Sequence, residues 1–108
     1  ERGSRIYLTS DHGNTEATGC GRPAEGVLAN IRGERTRVYA DDLQRKNTQD
    51  LYPGSFAWEP VGLPSGYLPL IAPPGKAFVP EGKTIVTHGG ISLEELIVPF
   101  VQIERKPL

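Results

Sequence analysis

With 108 residues, 37% of them hydrophobic and 23% charged, the sequence has the make-up of one ordinary globular domain and not of a disordered, collagenous or membrane-spanning chain. Twelve basic against thirteen acidic side chains give a formal net charge of −1, so no global field draws the chain onto nucleic acid. No apolar run nears the roughly 20 residues of a bilayer-crossing helix, the polar start Glu1-Arg2-Gly3-Ser4-Arg5 lacks the apolar stretch of a signal peptide, and the single Cys20 rules out an internal disulfide; a cytoplasmic location is expected.

Thirteen glycines and ten prolines interrupt regular elements, and predict a loop-rich chain that leans on a larger domain. Arg5-Ile6-Tyr7-Leu8-Thr9 reads as a buried strand that delivers the polar turn Ser10-Asp11-His12-Gly13-Asn14 at its carboxyl end, where ligands of open α/β sheets sit. A short helix is expected around Glu25 to Ile31, ended by Gly33, and Cys20 as a small buried or half-buried filler. Thr36 to Ala40 alternates as a strand, and Asp41 or Asp42 caps a short helix over Leu43 to Lys46.

From Leu51 to Pro64 the prolines and glycines predict irregular chain, with Phe56 and Trp58 packing inward or covering an opening. Tyr67 to Ala72 is expected as an edge strand, because Pro69 has no N–H for a ladder. Pro73-Pro74-Gly75 and Glu81-Gly82 are turns. Ser92, with Glu95 three residues on, forms a capping box that starts a short helix, and Ile97 to Ile103 follows as a strand. Arg32, Arg35, Arg37, Arg45 and Lys46 concentrate positive charge in the middle third and are expected on a solvated face balanced by Glu34, Asp41, Asp42 and Asp50.

Asp11 and His12 are neighbours, so they serve one metal ion only from a turn, since adjacent residues of a strand point to opposite faces. A carboxylate beside an imidazole is a mixed oxygen and nitrogen donor set that suits zinc and tolerates manganese or iron. His88, between Thr87 and Gly89-Gly90, is the other histidine and stands just ahead of the capped helix. On the residues alone the alternatives stay open: an Asp-His pair after a strand also caps a turn, and a histidine near a helix start is also an ordinary surface residue.

Leu8-Thr9-Ser10-Asp11-His12-Gly13-Asn14 resembles the strand-to-loop Asp-His-Gly motif of the alkaline phosphatase superfamily. The run from Thr87 to Phe100 is similar to the His-Gly-Gly, Ser-Leu-Glu-Glu, Val-Pro signature that closes PglZ domains, and the two motifs stand in that family's order. The specific resemblance lies at residues 5–16 and 84–103, within a single domain or fragment spanning 1–108. It implies an α/β fold: the C-terminal portion of an alkaline-phosphatase-like sheet with helices packed on it and a long irregular insertion between the motifs. It also implies two side-by-side divalent ions, zinc or manganese, with Asp11 and His12 on one and His88 on the other. The substrate would be a phosphate ester, a nucleotide or nucleic acid included, and the setting bacterial phage defence.

The family also uses a Ser or Thr nucleophile, an acidic residue near it and a further Asp and His, all ahead of the Asp-His-Gly motif. Only ten residues precede Asp11, so the resemblance implies a fragment of a larger PglZ protein or a reduced relative, without a catalytic residue of its own and without turnover by itself. Its partners would be the rest of a parent domain or other defence-system proteins. Two rivals accompany this reading: a noncatalytic interaction module that keeps the fold, and a phosphoglycerate-mutase-like enzyme fragment. Against the latter, that family's next metal-binding histidine follows the Asp-His-Gly motif closely, whereas here the next is His88.

Overall fold

The first and last strands of the chain pair with each other. Strand β1 (Arg5–Thr9) runs antiparallel to the strand over Phe100–Glu104, with Arg5 opposite Glu104 and Thr9 opposite Phe100. The structure, a computed structural model, describes residues 4–24 and 29–106, and for 29–32 the backbone alone. Opposed residues share a face of a ribbon. Ile6, Leu8, Val101 and Ile103 therefore make one wholly apolar side, while the other carries the Arg5–Glu104 ion pair (3.0 Å) and Tyr7 stacked on Phe100. The expected β1 is present but not buried. Both strands are exposed along their whole length, because a ribbon of two strands leaves both faces open.

Strand β2 (Thr15–Gly19) leaves the ribbon, and is flanked further along the chain by Lys76–Ala77, parallel to it, and Thr84–Thr87, antiparallel. Its inward face is Ala17 and Gly19, residues so small that the sequence carries almost no apolar alternation there. Ala17, Ala77 and Val79 form a minor buried cluster, joined by Ile85.

Strand β3 (Ala29–Arg32) pairs antiparallel with β4 (Thr36–Tyr39), across a register shift between Ala29 and Ile31. The helix expected over Glu25 to Ile31 is thus replaced by strand at its C-terminal end, and residues 25–28 lie outside the described residues. A run of seven residues is too short to hold a helix unaided, and pairing with β4 prevails. Helix α1 (Asp42–Leu51) follows, longer than expected. Asp41 is its N-cap, taking the Gln44 N–H at 3.1 Å, and Asp42 pairs with Arg45 (2.7 Å) and Lys46 (3.3 Å) one turn on.

After the two-residue β5 (Phe56–Ala57), β6 (Leu68–Ile71) inserts between β4 and β5, so the sheet order is β3-β4-β6-β5. Pro69 is therefore not on an edge strand. Its carbonyl accepts the Trp58 N–H at 3.1 Å, and in antiparallel pairing the N–H of the same residue would point the same way. The missing donor faces the place where β5 ends, and β4 on the other side loses nothing. Phe56 and Trp58, about half exposed, meet edge to face on the outside of the sheet and do not pack inward.

Between these sheets lies the main core: Tyr39, Leu70, Ala72 and Phe78, with Cys20, Tyr52, Ala57 and Leu68 packed around it. Tyr52 meets Phe78 edge-on, and α1 lies against β4, β5 and β6. Completing the elements in chain order, Lys76–Ala77 is β7, Thr84–Thr87 is β8, Leu93–Leu96 is the short helix α2, and Phe100–Glu104 is β9. Among the described residues the architecture is a mixture of small sheets and two helices, as in an α/β fold, and the segment between the two motifs carries short strands and α1 separated by loops. The radius of gyration is 18.4 Å, against about 13 Å for a compact chain of some 100 residues, so the molecule is elongated.

Phe78 is 1% exposed at the centre of the core and Val86 is 72% exposed on β8. In urea denaturation Phe78→Ala is predicted to cost about 3–5 kcal/mol, and Val86→Ala less than about 0.5 kcal/mol.

Candidate metal centre

Register brings the two motif loops together. Thr15 at the start of β2 lies opposite Thr87 at the end of β8, so the turn before β2 and the turn after β8 leave the sheet at one end. His12 and His88 meet there, their rings stacked face to face with centroids 3.7 Å apart and planes 14° from parallel. His12 Nδ1 lies 2.8 Å from the Gly13 carbonyl oxygen, while its Nε2 is 3.6 Å from Asp11 Oδ1. The Asp11 carboxylate is 88% exposed and His12 half-buried. Ser10 Oγ donates to the His12 carbonyl at 2.6 Å, and Thr36 Oγ1 donates to that of Gly89, which ties the second loop to β4.

Behind the histidines sits a buried ion pair. Arg35 and Glu95 side chains are 3% and 1% exposed, and the guanidinium grips the carboxylate with both arms, Nε to Oε1 at 3.0 Å and Nη2 to Oε2 at 3.2 Å. Nη1 donates to the carbonyls of Pro73 (3.1 Å) and Lys76. The carboxylate also accepts the N–H groups of Gly90 (2.9 Å) and Ser92 (3.0 Å), the latter being the expected capping-box contact. Burial alone would push the Glu95 carboxyl up. The hydrogen bonds from Arg35, Ser92 and Gly90 outweigh it and hold the group at about 2, from an ordinary 4.5.

Two glycines of the motifs, Gly13 and Gly90, are required by close approach. A Cβ on Gly13 would stand 1.8 Å from the Glu94 carbonyl oxygen, and one on Gly90 would stand 2.6 Å from Glu95 Oε2 and 2.7 Å from Arg35 Nη2. The freedom expected of Gly13 is thus steric, since its φ is not positive, whereas Gly89 does adopt φ +100°.

The three residues singled out in the sequence, Asp11, His12 and His88, therefore share one rim. Among the described residues no three His, Cys, Asp or Glu side chains converge tightly enough to enclose a single ion. The solvated basic face is corrected for two of its members: Arg35 and Arg37 are buried, Arg37 donating to the carbonyls of Gly33 and Phe78 (3.1 Å for the latter) and lying over the Phe78 ring. Sequence reasoning missed Arg35 and Glu95 as a pair. A signal did exist, because a capping-box glutamate whose carboxylate is drawn inward needs a cation, and an arginine close to a strand start can supply one. Cys20 is half-buried, donates to the Ala77 carbonyl, and has its thiol pushed up by burial, which suits a filler.

A family model described as the BREX system PglZ alkaline phosphatase-like domain matches residues 1–103. The chain belongs to the PglZ family. No curated protein and no solved structure matches it. In this PglZ chain the matched region takes in both motif loops and the ion pair behind them.

Because the Glu95 carboxyl is lower in the folded chain than in the unfolded one, folding favours its ionised form. Its stabilisation is complete above about pH 4.5 and drains away as the pH falls towards 2. The stability difference between wild type and Glu95→Gln, measured by denaturation from pH 7 downward, is predicted to shrink through that window. A gap that stays constant to pH 2 would show that the carboxylate charge is not what stabilises the fold.

Proposed function

We propose that this chain supplies Asp11, His12 and His88 as ligands for a pair of divalent cations, zinc or manganese, in a metal-dependent phosphatase or phosphodiesterase site of a PglZ domain. The observation that carries the reading is the stacked pair of imidazoles. Lone pairs that lie in the planes of near-parallel rings do not converge on one point, which favours two ions over one. The 3.7 Å separation of the rings matches the roughly 3.5–4 Å between the ions of two-metal phosphoryl-transfer sites. His12 has the arrangement of a ligand fixed in one tautomer, with Nδ1–H turned to the Gly13 carbonyl and Nε2 left as acceptor. Donors sharing one tetrahedral zinc ion at about 2.0–2.1 Å lie roughly 3.3–3.5 Å from each other, and Asp11 Oδ1 is 3.6 Å from His12 Nε2. Asp11 and His12 thus fit one ion, and His88 the other.

Cations held there would offset the charge on the nonbridging oxygens of a phosphate ester and make an attacking hydroxyl more acidic. The protein's part is to hold three donors at the ends of β1 and β8 and to orient one ring through a backbone carbonyl. The nucleophile and remaining ligands come, in this reading, from elsewhere in a larger PglZ domain. The apolar side of the β1–β9 ribbon, Ile6, Leu8, Val101 and Ile103, is a surface for that remainder to cover. A nucleotide or nucleic acid within a cytoplasmic phage-defence system is the proposed substrate setting. The same ribbon supports a second reading, a noncatalytic interaction module, whereas the family match favours either over a mutase-like enzyme.

Calorimetric titration with zinc tests this. His88→Ala is predicted to weaken uptake about tenfold or more, with a stability change within about 0.5 kcal/mol because the residue is exposed. In a full-length PglZ protein the same change should lower phosphodiesterase activity in parallel. Metal uptake identical in wild type and variant would remove His88 from the ligand set.

A further inference from the structure

We infer that the Arg35–Glu95 pair is a positioning device that sets the spacing of His12 and His88; the inference rests on the reading of those histidines as ligands. Glu95 touches both loops, with different parts of itself. Its backbone carbonyl accepts the Gly13 N–H at 2.8 Å, one residue beyond His12. Its carboxylate accepts the Gly90 N–H at 2.9 Å, two residues beyond His88, and the Ser92 N–H at 3.0 Å. Each oxygen takes one arm of Arg35 and one backbone donor, so the carboxylate cannot rotate without breaking two hydrogen bonds at once.

Arg35 is in turn anchored from behind by the carbonyls of Pro73, in the turn before β7, and of Lys76, the first residue of β7. β7 pairs with β2, and β2 carries the Asp11-His12-Gly13 turn at its start. A closed circuit results: β2 to β7, β7 to Arg35, Arg35 to Glu95, Glu95 to both loops. The absent Cβ atoms of Gly13 and Gly90 let this circuit close at contact distance. Neither Arg35 nor Glu95 needs to touch substrate or metal. Both act through the loops.

A purely structural ion pair would affect stability alone, so the test needs a readout of the imidazoles themselves. In the metal-free protein, ring-proton NMR shifts of His12 and His88 report stacking through mutual ring currents, and zinc calorimetry reports ligand placement. Arg35→Lys keeps the charge but loses the two-armed grip, and Gly90→Ala keeps both residues of the pair but drives a Cβ against them and wedges them from the loop. Arg37→Lys is the comparator, removing a buried guanidinium that donates to the Gly33 and Phe78 carbonyls. Arg35→Lys and Gly90→Ala are expected to lose at least half of the ring-current displacement and about 10–100-fold in zinc affinity, while Arg37→Lys keeps both. Retention of both signals in Gly90→Ala and in folded Arg35→Lys overturns the inference, as does an equal loss in Arg37→Lys. A wild type with stacked rings but no zinc uptake would instead sink the metal reading, and the ring shifts would still decide the positioning role.

Discussion

Everything near the motif loops hangs on one buried carboxylate and the guanidinium that grips it. Removing two opposite charges from water costs several kcal/mol for each, and mutual attraction compensates only when the remaining lone pairs and protons also find partners. Glu95 meets that condition: both oxygens accept from Arg35 and from a backbone amide, and the guanidinium spends its outer arm on two carbonyls. The pair sits where α2, the loop after β8, the turn ahead of β4 and the turn into β7 converge. Hydrophobic side chains do little there. The main core, around Tyr39, Leu70 and Phe78, lies elsewhere, so the loop region is held by directional bonds and the remainder by burial.

That division explains which features were legible in the sequence. The capping box at Ser92 and Glu95, the polar turn after β1, the strand at Thr36 and the cap at Asp41 are local signals, readable from a few adjacent residues, and each corresponds to an element of the structure. β2 was illegible because its buried positions, Ala17 and Gly19, have too little side chain to register as apolar. Arg35 looked like one of several surface cations, since only a partner sixty residues on reveals that it is buried. Pro69 suggested an edge strand by a sound rule, but the rule concerns one side of a strand and the other side was free to pair. The motif pair indicated which residues gather at the rim. What the sequence alone could not supply was the facing of the rings, which follows from a register between β2 and β8.

The β1–β9 ribbon poses the complementary case. Its period-two pattern places four apolar residues on a single side and an ion pair with an aromatic stack on the other, the arrangement of a strand pair with one face destined for cover. That face is open here, and nearby Leu93, Leu96 and Ile97 are also exposed. The exposure therefore describes a boundary of the chain's own packing and not a failure of its strand pattern.

The pairing of the first strand with the last has a kinetic side. Arg5 pairs with Glu104, Thr15 lies opposite Thr87, and Gly13 bonds to Glu95, contacts of very high sequence separation whose loop-closure entropy must be met before they repay it. On the ribosome, the β3–β4 hairpin and α1 have all their residues long before α2 and β9 emerge. The two motif loops are joined only once Glu95 has been made, so the imidazoles come face to face after that hairpin and helix already have all their residues.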